Sequence, residues 1–229
     1  MIIGLSGLAG SGKDTVASFI AEKHEFDRVS FAGALKDATA AVFSWPRELL
    51  EGDTNESRDW REQVDTYWSA KFGYAVTPRT ILQQFGTNVC REHLNDNIWI
   101  YCVEKKLQEN NKNKLNTVIT DVRFPNEIKM IKQAGGKCFH VKRGPEPKWW
   151  HLAKAANGLE ENFKNDVMFE GDSAVISNKL EIEYNLHISE WAWVGSSFDS
   201  VINNNSTLEA LDEKVTNLLA VYDFFGKDI

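Results

Sequence analysis

The chain has 229 residues, 42% of them hydrophobic and 26% charged, and its 26 basic against 33 acidic side chains leave a net charge of −7. That length and apolar content suit one sizeable domain and exclude wholesale disorder. The acidic balance argues against tight duplex binding, which rests on neutralising phosphates, and favours a small phosphorylated ligand held by a few local cations.

No apolar run is long enough to span a membrane. The first residues read as a strand and lack the charged-then-apolar layout of a secretory leader. The three cysteines, Cys90, Cys102 and Cys138, are far apart and form no C-x-x-C pair. Reduced, buried thiols and a cytoplasmic location are therefore expected.

Residues 1–5, Met-Ile-Ile-Gly-Leu, predict a buried parallel strand, and Val16, Phe19 and Ile20 lie at helical spacing beyond it. Between them runs Gly7-Leu8-Ala9-Gly10-Ser11-Gly12-Lys13-Asp14-Thr15. Strand, glycine loop and helix in that order form the setting of a phosphate-binding loop. Glycines let successive N–H groups curl inward as an anion nest, the helix N-terminus adds its positive dipole end, and Lys13 reaches the β- and γ-phosphates. The competing reading is a glycine turn that binds nothing; three glycines followed directly by lysine speak against it. Asp14 takes the place of the usual hydroxyl, which comes one position later at Thr15. Mg²⁺ is thus expected at Asp14, at Thr15, or only through water.

Residues 28–31 read as the second strand, and residues 34–43 as a helix with Leu35, Ala38 and Val42 on one side, closed by Pro46. Residues 47–76 carry Trp60, Tyr67, Trp68 and Phe72 without a clean period, which fits short helices. Thr77-Pro78 is a helix start, threonine as cap and proline at the first position, ahead of Ile81, Leu82, Phe85 and Val89. Residues 97–109 predict a helix with Trp99, Ile100, Val103 and Leu107 inward, and the polar run 109–114 a surface turn. A β-branched strand over 117–121 ends in Asp121; a helix from near Pro125 carries Ile128 and Ile131 and stops at Gly135-Gly136. Residues 137–141 make the next strand. Val201-Ile202 make the last, followed by an asparagine turn and a helix capped by Ser206 with Glu209 three residues on. Its apolar stripe is Leu208, Leu211, Val215, Leu218 and Leu219. The alternation implies a parallel sheet covered on both faces, with ligands at the carboxyl ends of its strands, interrupted by residues 144–198.

Three further groups carry chemistry. Lys36 starts a helix just after a strand; it either faces a ligand or is a solvated lysine. Asp121 and Arg123 follow a strand, where a carboxylate can hold Mg²⁺ through water or orient an attacking phosphate, and an arginine can bridge phosphates. They also fit a turn-former and its ion-pair partner. Trp149-Trp150 and Trp191-Ala192-Trp193 either stack on a base or, more commonly, pack against the body or a second subunit. The five histidines, His151 and His187 among them, show no metal-ligand spacing.

The glycine loop by itself fits a GTPase, a motor-type ATPase or a small-molecule kinase. Taken with the blocks at 31–36, 78–91 and 120–127, with His187-Ile188-Ser189-Glu190 and with Ile202-Asn203-Asn204, the chain resembles the bacteriophage-type deoxynucleoside monophosphate kinases of the P-loop nucleoside monophosphate kinase group. The resemblance implies an α/β, three-layer P-loop kinase fold with a central parallel sheet and an inserted lid. Residues 1–229 would form a single domain, with 45–95 as the monophosphate-binding part and 144–198 as the lid. It implies ATP and Mg²⁺ as cofactors and transfer of the γ-phosphoryl group to a deoxynucleoside 5′-monophosphate.

Carried over by position, Lys13, Asp121 and Arg123 would be catalytic. Gly7, Gly10, Ser11, Gly12, Lys13, Asp14, Thr15 and Arg143 would hold the nucleotide. Lys36, Arg79, Arg91 and Arg123 would hold the acceptor, with Gly86 and Thr87 in the same block and Gln83 or Gln84 reading a base edge. One departure stands out: residues 144–190 contain no arginine, only lysines such as Lys148, Lys154, Lys164 and Lys179. Neither a membrane nor nucleic acid is expected as a partner, and the tryptophan-rich surface hints at a homodimer. The alternatives are a kinase for another phosphorylated acceptor, of phosphomevalonate or dephospho-coenzyme A type, a non-catalytic nucleotide switch, and, less favoured, a nucleic-acid-packaging ATPase.

Overall fold

The computed structural model describes residues 1–158 and 173–226. The chain divides into two compact units, Met1–Arg28 with Lys114–Ile229, and Val29–Asn113.

The first unit is built on a five-stranded sheet of order β2-β3-β1-β4-β5. Its strands are β1 (Ile2–Ser6), β2 (Phe26–Val29), β3 (Asn116–Ile119), β4 (Lys137–Lys142) and β5 (Ser200–Asn203). β1 pairs in parallel with β3 (Ile3 opposite Val118) and with β4 (Leu5 opposite Phe139), and β4 in parallel with β5. Parallel central strands are covered on both faces, so β1 buries even its one polar side chain, Ser6, beside the fully buried apolar Ile3 and Leu5. Each such side chain contributes roughly 1.5–3 kcal/mol by leaving water.

Helix α1 (Lys13–His24) covers one face with Val16, Ala17 and Ile20, which share a core with Leu211, Val215 and Leu219 of the last helix, α10 (Leu208–Gly226). Helix α7 (Pro125–Gln133) buries Ile128 and Ile131. A side chain at Gly4 would meet Ile131 at 2.6 Å, so the glycine of β1 is what lets α7 sit so close.

The second unit is helical: α2 (Gly33–Phe43), α3 (Asn55–Glu62), α4 (Thr66–Phe72), α5 (Pro78–Gln83), a π-helical segment Gln84–Leu94, and α6 (Ile98–Lys112). Its core gathers Phe43, Trp45, Leu50, Val76 and Ile81, with Trp60 and Trp68 against them. Trp45 stacks on Phe43 at 4.6 Å and donates its indole N–H to Asp65 at 2.8 Å, and Asp65 also caps α4. The missing period over 47–76 has this cause: each short helix lends only one or two side chains. Thr77 caps α5 as expected, accepting from the Thr80 N–H with Pro78 behind it.

Several boundaries differ from expectation. The second strand is Phe26–Val29, so Ser30 and Phe31 already lie in the turn into α2. Leu35, Thr39 and Phe43 form the inner face of α2, while Val42 is 59% exposed; Thr39 fits inside because its hydroxyl donates to the Leu35 carbonyl. Val89 is also exposed, because the π-helix adds a residue per bond and turns Gly86, Cys90 and Arg91 inward instead. α6 continues to Lys112 through most of the expected surface turn. β3 ends at Ile119, leaving Asp121 in the loop beyond. The last helix starts at Leu208 with the Thr207 hydroxyl, not Ser206, accepting from the Ala210 N–H, and this leaves Leu208 exposed. Cys90 and Cys138 are buried free thiols, whereas Cys102 is only half-buried.

Within 144–198 the described elements are α8 (Trp150–Ala156), α9 (Ser173–Tyr184) and a single 3-10 turn, Ile188–Glu190; Lys164 lies outside the described residues. Trp150, Trp191 and Trp193 are buried. Trp150 and Trp193 pack on His140, with ring centroids 6.2 and 5.1 Å away, so packing and not an open stacking face accounts for them. No helix among the described residues is long and apolar enough to cross a membrane.

Candidate active site

The loop between β1 and α1 turns through Gly7, Gly10 and Gly12 at φ of +149°, +76° and +94°, a region side chains rarely adopt. At Gly7 a Cβ would strike the Val141 carbonyl of β4, and at Gly12 the side-chain amide of Asn204. Lys13 opens α1 and folds back over the loop, its Nζ donating to the carbonyls of Gly7 (2.8 Å) and Leu8 (2.9 Å). Burial, then the charge of Arg123, pushes the Lys13 ammonium down to about 8, against an opposing pull from Asp14 and Asp121. The structure therefore brings Lys13, Asp14, Asp121 and Arg123 into one electrostatic neighbourhood.

Asp14 is exposed in the first turn of α1, with the Arg28 guanidinium 3.8 Å away, and Thr15 is half-buried beside it. Hard oxygen donors at the mouth of a phosphate-binding loop suit Mg²⁺, which keeps much of its water and needs few protein ligands. Among the described residues no group of three or more His, Cys, Asp or Glu is placed to hold a metal ion.

Asp121 and Arg123 flank Val122, whose side chain is buried and whose N–H donates to the Leu5 carbonyl at 3.0 Å. This fixes the loop to the end of β1. The buried Glu127 carboxylate, one turn into α7, accepts from the backbone N–H of Arg123 (2.7 Å) and Phe124 (3.0 Å). Pro125 at the first helical position and glutamate at the third thus lock Asp121-Val122-Arg123 onto the helix start.

β4 ends beside the loop. Burial first, then Lys142 and Lys13, pushes the His140 imidazole down to about 4, so it is neutral near pH 7. Arg143 is exposed just beyond, and Lys142 pairs with Glu146 at 3.0 Å. Leu8, Ser11, His140, Arg143 and Trp150 line a small cleft here. Asn204, at the end of β5, donates its side-chain N–H to the Ser11 carbonyl at 2.9 Å.

In the second unit, Lys36 lies in the first turn of α2 with its side chain 12% exposed, and its Nζ donates to Glu51 at 2.6 Å. Glu51 is also paired with Arg47, which binds Asp37 at 2.5 Å. Burial raises the Glu51 carboxyl, but Lys36 and Arg47 outweigh it and hold it below its ordinary value. Lys36 is thus a held lysine, not a solvated one. Arg79 pairs with Glu62, and the buried Arg91 pairs with Asp96 at 2.7 Å.

Gln83 closes α5 half-buried, Gln84 is exposed and Thr87 half-buried. Gly86 is a packing residue: a Cβ would meet Leu35 at 2.7 Å, and its carbonyl accepts the Trp99 indole N–H at 3.0 Å. Sequence reasoning gave no role to Glu127, Asn204, Glu51 or Arg47. Glu127 has a local signal, its place three residues after the helix cap, and Arg47 and Glu51 stand at the i,i+4 spacing of an ion pair.

Residues 48–178 match the sequence profile of the family described as deoxynucleotide monophosphate kinase. A protein of Acanthamoeba polyphaga mimivirus, provisionally named deoxynucleotide monophosphate kinase, is 33% identical over 153 residues, covering 62% of this chain and 74% of its own. The deoxynucleoside-5′-monophosphate kinase of Escherichia phage T5 is 25% identical over 182 residues, covering 58% of this chain and 72% of its own. A solved dephospho-CoA kinase from Campylobacter jejuni gives a TM-score of 0.41 at 14% identity over 96% of this chain and 95% of that one, a likeness too loose to bear on function. With more than half its length matched to one family and a viral relative one-third identical, the chain belongs to the deoxynucleotide monophosphate kinase family.

Proposed function

We propose that this chain transfers the γ-phosphoryl group of ATP to a deoxynucleoside 5′-monophosphate, giving the diphosphate. The observation that carries the reading is the phosphate-binding loop with Lys13 folded across it and Asp121 and Arg123 in the same field, in a member of this family. Phosphoryl transfer is mainly positioning and charge neutralisation. The loop N–H groups and Lys13 hold the β- and γ-phosphates, and Arg123 offsets the charge that develops as the group moves. Asp14 and Thr15 would hold Mg²⁺ directly or through water, and the ion would supply charge neutralisation on the phosphate oxygens. The acceptor is already an ionised phosphate, so no residue is asked to act as a strong base.

For the acceptor, we assign Lys36, Arg79 and Arg91, with Gln83 or Gln84 toward the base, within a monophosphate-binding part over 45–95. Lys36 would exchange its Glu51 partner for the acceptor phosphate. Residues 144–198 serve as the lid, Arg143 standing at its entrance. The viral sources of both relatives support a place of action in the host cytoplasm. The test is a coupled ADP-release assay with ATP, Mg²⁺ and each deoxynucleoside and ribonucleoside monophosphate, with product mass confirmed and Lys13→Ala as control. Diphosphate formation matched to ADP, and lost in Lys13→Ala, is expected. Silence with every nucleotide in a protein that still binds ATP overturns the proposal in favour of another phosphorylated acceptor or a switch.

A further inference from the structure

We infer that Asn204 is a positioning residue for the triphosphate, holding the glycine loop in its anion-binding shape from behind. This rests on reading that loop as the ATP cradle. A nest that turns N–H groups toward an anion turns its carbonyls outward, and each one shielded from water needs a donor. The Gly7 and Leu8 carbonyls take Lys13 Nζ, and the Gly12 carbonyl takes the Val16 N–H at 3.0 Å. The Ser11 carbonyl takes Asn204 Nδ2 at 2.9 Å. Ser11 and Asn204 are only 3% and 8% exposed, so water is poorly placed to replace the amide.

Asn204 is itself anchored, its backbone N–H donating to the Lys142 carbonyl at 2.8 Å, while the neighbouring Asn205 accepts from the Gly144 N–H at 2.7 Å. The side-chain amide also occupies the space a Cβ at position 12 would need, so Gly12 and Asn204 are fitted to each other. A residue serving stability alone would loosen the fold when changed. A residue that sets the nest weakens binding in proportion to the phosphates the nest holds, and leaves the acceptor alone.

The test measures binding of ATP, inorganic tripolyphosphate and deoxynucleoside monophosphate by calorimetry to wild type, Asn204→Ala and Asn204→Ser. An orphaned buried carbonyl predicts about tenfold weaker binding of both ATP and tripolyphosphate, with monophosphate binding unchanged. Unchanged ATP and tripolyphosphate affinity in the folded variants, or an equal loss for the monophosphate, overturns the inference. If Asn204→Ala does not fold, Asn204→Ser retains a small polar group too short to reach the Ser11 carbonyl, and is read the same way. Gly12→Ala is then compared with Gly12→Ala/Asn204→Ala: the double variant should bind tripolyphosphate better than Gly12→Ala alone, and simple addition of the two losses counts against the fit. Turnover of wild type with deoxynucleoside monophosphates is followed separately. A protein that binds ATP without phosphorylating them removes the kinase reading but leaves this test standing.

Discussion

Replacing Glu127 tests whether the loop carrying Asp121 and Arg123 is preorganised by a single buried carboxylate. Glu127 is 3% exposed and accepts two backbone N–H groups, at 2.7 and 3.0 Å. Hydrogen bonds to a charged acceptor contribute about 1.5–3 kcal/mol each, and an unsatisfied buried donor costs about as much. Arg123 is exposed, so its N–H regains some water; the two bonds together then amount to about 3 kcal/mol in Glu127→Ala. Glu127→Gln keeps one acceptor oxygen and loses the charge, for about 1–2 kcal/mol. Urea unfolding at constant m gives the stability change, and kcat measured well below the unfolding midpoint gives the catalytic one. Because the loop presents Arg123 and Asp121, kcat should fall at least tenfold in Glu127→Ala, with ATP affinity much less affected. A Glu127→Ala protein with wild-type kcat, or with a stability loss under about 0.5 kcal/mol, refutes the reasoning.

Other consequences are open to the same instruments. Lys13, held at about 8, sheds its proton as pH rises through that value, so ATP affinity should fall on the alkaline side and the fall should flatten in Lys13→Arg, which stays charged; a flat profile in the unaltered protein would contradict this. His140 is lowered from 6.5 to about 4, so between those values the unfolded chain binds the proton that the folded one refuses. Stability should therefore drop on acidification across that window, and His140→Phe should lose that part of the slope in denaturation curves at stepped pH. Trp193 is 2% exposed against His140 and Phe198, so Trp193→Ala should cost about 3–5 kcal/mol of stability, with no dependence of the remaining activity on which base is offered.

What was legible in the sequence was what the chain spells out locally. The glycine loop is contiguous, so its anion nest could be read directly, and the four inward residues of α6, Trp99, Ile100, Val103 and Leu107, follow a regular helical period and are buried as expected. Asn204 could not be read, because its partner at Ser11 is 193 residues away and an asparagine run by itself says only turn. The Gln84–Leu94 segment hid its inner face because a π-helix breaks the period on which the reading depends. Lys36 was read as a basic residue near a strand end, but the carboxylate that steadies it is fifteen residues on and carries no pattern.

The strand order has a consequence for how the chain comes to exist. β1 is made well before its neighbours in the sheet, β3 and β4, whose residues lie more than a hundred positions downstream. Such distant pairings form slowly, because a long loop must close before any contact rewards it. During synthesis the apolar β1 and its glycine loop emerge together and then wait unpaired while the whole of Val29–Asn113 is made. The strand that carries the glycine loop thus becomes competent long after it is made, and a fragment ending before residue 116 should leave β1 without either of its partners in the sheet.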